Sequence, residues 1–100
     1  MTFRIVCISR NGKEGGDPLL SVSELGAVNE QTGDVRFYNL AELHDVANNE
    51  NNNVYLTDIL GKKVRVIPAI APNGEKYVRS TFNDDKMDDI LKLSSCKTLK

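Results

Sequence analysis

Val54-Tyr55-Leu56-Thr57-Asp58-Ile59-Leu60, then Lys63 to Ala71, then Glu75 to Phe82 form the stretch that decides the fold. Each piece is rich in Val, Ile and Tyr and alternates apolar with polar residues for much of its length, which predicts strands. Gly61-Lys62 separates the first two, and Pro72-Asn73-Gly74 separates the last two. Asn-Gly supplies the positive φ values that a tight hairpin turn requires. The expected unit is a C-terminal three-stranded antiparallel meander. Pro68 cannot donate a ladder hydrogen bond, so it marks an edge or a bulge in the second strand. Beyond Phe82, Asp84 or Asp85 is expected to cap a short helix running to about Leu93, with Met87, Ile90, Leu91 and Leu93 apolar.

Working back toward the N-terminus, Asn39 is a good helix cap and Glu42 stands three residues on, the spacing of a capping box. Leu40, Leu43, Val46 and Ala47 follow at helical spacing, so a short helix is expected over residues 40–49. The Asn48-Asn49-Glu50-Asn51-Asn52-Asn53 run ends it. Leu20 to Val28 and Val35 to Tyr38 read as strands joined by a hairpin around Gly33. Residues 3–9 alternate as a strand with Phe3, Ile5 and Cys7 on one face. Asn11 to Pro18 is turn-rich and reads as a loop. The fold class is α+β: a small antiparallel sheet ending in the meander, one central helix and a short C-terminal helix, in one domain over residues 1–100.

Composition sets limits on function. Hydrophobic residues make up 40% and charged residues 27%, a globular balance. No apolar run approaches the roughly 18 residues of a membrane span, and the first residues turn polar by Ser9, too early for a secretory signal. No membrane association and a cytoplasmic location are therefore expected. In that compartment Cys7 and Cys96 read as reduced thiols, although their positions suggest that the two ends of the domain lie close together. The net charge of −1 argues against a general nucleic-acid binder. Its distribution is uneven. Residues 1–60 carry four Lys and Arg against nine Asp and Glu, whereas residues 61–80 carry five against one.

Chemical signatures are weak. His44 is the only histidine, and a zinc site built from His44, Cys7 and Cys96 would lack the closely spaced ligand pair such sites show. His44 reads instead as a surface or half-buried helix residue. Asp84, Asp85, Asp88 and Asp89 could hold a hard cation, but acidic residues at a helix start are accounted for by capping and by the dipole. No catalytic group, metal or cofactor is expected. The binding candidates are Lys63, Arg65, Tyr77 and Arg79. Odd-numbered residues of the second and third meander strands share a face in the simplest registers, giving three cations and one ring. Such a face suits a phosphate, a nucleotide or an acidic protein surface, against the plain alternative of a solvated sheet face.

The order Val54-Tyr55-Leu56, Gly61-Lys62-Lys63-Val64-Arg65-Val66, Asn73-Gly74-Glu75-Lys76-Tyr77-Val78-Arg79-Ser80, Asp89-Ile90-Leu91-Lys92-Leu93 and Cys96 resembles the short bacterial and phage domain-of-unknown-function family DUF3892. The opening Ile5-Val6-Cys7-Ile8 is similar to that family's first strand. Asp89 stands where the family has Asn, Ser94 where it has Pro, and Leu25-Gly26 where it has paired glycines. The resemblance implies a small intracellular module often encoded on mobile elements, and it transfers no functional residue. The resulting expectation is a non-enzymatic binding or interaction module of bacterial or phage origin, with a protein partner. The alternatives are a binder of a nucleotide or other small phosphate ligand, and a weak nucleic-acid binder through the same face. A homo-oligomer is left open.

Overall fold

The computed structural model describes residues 1–10, 18–58, 60–80 and 89–96. Its strands are β1 (Thr2–Arg10), β2 (Val22–Asn29), β3 (Val35–Tyr38), β4 (Asn53–Thr57), β5 (Lys63–Ile70), β6 (Lys76–Ser80) and β7 (Ser94–Ser95), with one helix, α1 (Leu40–Asn48). Six strands lie in the order β3-β2-β1-β4-β5-β6, and β7 adds to β1. The class is α+β, but the sheet is mixed, not antiparallel throughout. β1 runs parallel to β4, with Phe3 opposite Val54, and parallel to β7, with Cys7 opposite Ser94. The β4–β5, β5–β6, β1–β2 and β2–β3 pairs are antiparallel.

Local chemistry accounts for most boundaries. Gly33 and Gly74 adopt φ of 78° and 87° in the turns before β3 and β6, a region where a side chain is strained. The capping box closes reciprocally: Glu42 N–H donates to Asn39 Oδ1 at 2.8 Å and Asn39 N–H donates to Glu42 Oε1 at 3.0 Å. Pro68 lies beyond the last β4–β5 pair, Tyr55–Arg65, so no strand on that side of it needs its missing N–H. The C-terminal helix expected from Asp84 or Asp85 falls largely outside the described residues. Within them Asp89–Lys92 is a 3-10 turn leading into β7.

One face of the sheet is the core. Phe3, Ile5, Ile8, Leu25, Ala27, Val54, Leu56, Val64, Val66 and Val78 are buried together with Leu43 of the helix and Ile90 of the 3-10 turn. α1 packs chiefly on β5 and β6. His44 is buried, neither at the surface nor half-buried, and its Nδ1 is satisfied by the Tyr77 carbonyl oxygen at 3.1 Å. A carbonyl only accepts, so Nδ1 carries the proton.

A bulge changes the face of one residue. The β1–β2 register runs Ile5–Ala27 and then Cys7–Gly26, with Val6 unpaired. Cys7 therefore leaves the face of Phe3 and Ile5, contrary to simple alternation, while Ile8 returns to the core. The expectation of two reduced thiols is also overturned, since Cys7 and Cys96 form a fully buried disulfide across 89 residues of sequence. It packs over Gly26, where an added Cβ would stand 2.5 Å from Cys7 Sγ and 3.2 Å from the Phe37 ring.

Three stability measurements follow. Replacing both cysteines by Ala should cost about 2–5 kcal/mol in urea unfolding under oxidising conditions. Gly26→Ala should lower the midpoint as well, because the cystine has no room to yield. Asn39→Ala should cost about 1 kcal/mol through the lost cap.

Candidate functional site

The outer face, opposite α1, carries the side chains that alternate with the buried ones. Val64, Val66, Val78 and Ser80 point inward, so Lys63, Arg65, Tyr77 and Arg79 all point outward. Lys63, Arg65 and Arg79 are exposed and Tyr77 is half-buried against the edge of the core. Register fixes their spacing. Arg79 is opposite Ile67 and Tyr77 is opposite Ala69. Arg79 is thus diagonal to Arg65, roughly 7–8 Å away at the backbone. Lys63 and the Tyr77 position lie about 20 Å apart along β5. The four residues make a stripe, not a pocket, and Tyr77 stands at its far end.

Two further strands extend the stripe. Arg4 is opposite Tyr55, and Tyr55 is opposite Arg65, so the three side chains form one row across β1, β4 and β5. Across β2 and β3 the same row continues as Val28 and Val35. Tyr55 links the row together. Its hydroxyl donates a hydrogen bond to Glu30 Oε1. Lys63 Nζ sits 4.8 Å from the centre of its ring. Arg4 Nε is shielded from solvent and lies 3.5 Å from the same Glu30 oxygen, an ion-pair contact but not a hydrogen bond. That pair is well exposed and contributes little stability by itself.

The Glu30 hydrogen bond is the main reason the Tyr55 phenol is pushed above its usual value near 10, with burial and the Glu30 charge adding to it and Arg4 opposing. The chemistry is that of a positioning strut: Glu30 fixes the ring, and the ring carries Lys63. Arg4, Glu30 and Tyr55 are missed by sequence reading because they meet through two long-range registers, β1–β2 for Glu30 and the parallel β1–β4 pair for Tyr55. The outward side of Tyr55, between inward Val54 and Leu56, was the one available signal.

The cysteines, joined to each other, and His44, on the opposite face and bound to a carbonyl, do not assemble a metal site. Among the described residues no three His, Cys, Asp or Glu side chains converge as metal ligands. No helix among them is long and apolar enough to cross a membrane. No family model, no curated protein and no solved structure matches the chain.

The raised phenol gives a pH prediction with a definite sign. Its hydrogen bond contributes stability that is complete below the unfolded-state value near 10 and is lost as pH rises through the higher folded value. Ultraviolet titration of tyrosinate should show a component above pH 10 that Tyr55→Phe removes. An unchanged high-pH component in that variant would refute the assignment.

Proposed function

We propose that this chain is a non-enzymatic binding module whose outer sheet face takes an acidic segment of a protein partner. The observation that carries the proposal is the registered row Arg4–Tyr55–Arg65, with Lys63 and Arg79 beside it. Cations fixed at strand spacing over a flat surface complement an extended run of carboxylates. They set partner choice and encounter rate more than raw affinity. The apolar end of the row, at Val28 and Val35, adds contact area without charge.

The stripe is less suited to the alternatives. A single phosphate or a nucleotide calls for donors converging on one point, and here the cations are spread over several strands. A nucleic acid bound on a sheet uses open aromatic faces for its bases. The Tyr55 ring is instead covered by Lys63 and tethered by Glu30. The buried cystine supports a compartment in which thiols stay oxidised and weighs against the cytoplasmic placement expected from composition. Membership of the short bacterial and phage family stays part of the proposal.

A fluorescence anisotropy titration with a Glu- and Asp-rich peptide tests the reading. Binding should weaken with salt and fall more than tenfold in Lys63→Glu/Arg79→Glu, both residues being exposed. Circular dichroism should show the fold retained, with only a small drop in melting temperature from the lost Lys63–Tyr55 contact. Equal binding by that variant, or a clear preference for mononucleotides or single-stranded DNA over the peptide, would overturn it.

A further inference from the structure

The helix-bearing face of the sheet is not fully used by the helix. α1 packs mainly on β5 and β6, and the β2–β3 end of the same face holds a cavity of about 270 Å³. Its floor is apolar and buried: Phe3 is 8% exposed and Ala27 is 1% exposed. Ala27 stands opposite Arg36 in the β2–β3 register, which puts both on the side of the sheet that lines this hollow.

Two opposite charges border this hollow, Arg36 on β3 and Asp34 in the turn before it. Only one residue separates them in the chain, yet they form no ion pair with each other or with any described residue. The turn fixes the Asp34 main chain. The Asp34 N–H donates to Thr32 Oγ1 at 3.2 Å, and the Asp34 carbonyl accepts from Asn29 N–H at 2.8 Å. An anion and a cation held apart over an apolar floor are the electrostatic image of a small zwitterion.

We propose that this hollow binds a free α-amino acid with an apolar side chain. Its carboxylate meets the planar Arg36 guanidinium, which matches it with two parallel hydrogen bonds. Its ammonium meets Asp34, and its side chain lies on Phe3 and Ala27 against the Tyr38 ring. The arrangement has the general form of a small-ligand site, an apolar lining with a few placed polar groups. The volume is just below the roughly 300–1,000 Å³ of drug-sized sites, which suits an amino acid. The site is on the opposite face from Lys63, Arg65 and Arg79, so it stands or falls independently of the acidic-partner reading.

Isothermal titration calorimetry of the whole chain with L-leucine, L-methionine and L-phenylalanine tests it. At least one should bind with a millimolar or lower dissociation constant. L-leucinamide, which lacks the carboxylate, and N-acetyl-L-leucine, which lacks the ammonium, should each bind at least about tenfold more weakly than L-leucine. Arg36→Ala and Asp34→Asn should each cost about tenfold with unchanged melting temperature, both residues being exposed, and Arg79→Ala should bind as the unaltered protein does. Absence of binding by all three amino acids at millimolar concentration would overturn the proposal. So would equal binding of the blocked forms, or full affinity in Arg36→Ala.

Discussion

Strand β1 is the constraint on which the remaining structure depends. β2 pairs along one side of it, while the other side is shared, Thr2 to Arg4 by β4 and Cys7 to Ile8 by β7. Both of those neighbours are parallel to it and far away in sequence. Parallel pairs cannot be closed by a short turn, so the intervening chain must be stowed elsewhere. Between β1 and β4 that chain includes the β2–β3 hairpin and α1, and the helix covers the β5–β6 part of the inner face. The bulge at Val6 completes the arrangement. It returns Ile8 to the core and turns Cys7 outward toward its partner in the last described turn of chain.

The two faces that result carry separate chemistries because each strand alternates. The buried inward positions of β1, β4 and β5 are apolar, the imidazole that meets them is held by a carbonyl, and inward charge is confined to the rim, as at Arg36. Outward positions collect the charge. On β1, β4 and β5 the outward residues fall in register, so a row of side chains from distant parts of the chain becomes continuous. Such rows gain direction from the sheet at no local cost in conformation, since each residue keeps ordinary extended backbone. The Glu30–Tyr55–Lys63 contacts then restrict side chains that would otherwise sample many rotamers.

Elements governed by near neighbours were legible in the sequence. The Asn39–Glu42 box, the hairpin at Gly33 and the turn at Asn73-Gly74 each depend on residues within a few positions of one another. The outward placement of Lys63, Arg65, Tyr77 and Arg79 was legible too, because a period of two needs no knowledge of partners. What required the structure was long-range register. Nothing local to Phe3 announces Val54 as its neighbour, and so the Arg4–Glu30–Tyr55 cluster was invisible. The Cys7 facing was misread because a bulge is one extra residue in an otherwise regular alternation. The thiols were read as reduced on compartment grounds, an argument about surroundings that does not consult geometry. A surface or half-buried His44 is what its helix neighbours suggest, since the carbonyl that satisfies it once buried lies 33 residues away.

The cystine has a mechanical consequence. Because it joins β1 to the last described stretch of chain, a pull on segments lying outside Cys7 and Cys96 travels through one covalent bridge and bypasses the strands between them. Of the ladders, the part of β1 outside Cys7, Thr2 to Val6, bears that load through its pairing with β2 and β4. Tension applied at the two ends is therefore felt at that segment and at the bridge, while β3, β5 and β6 stay unloaded.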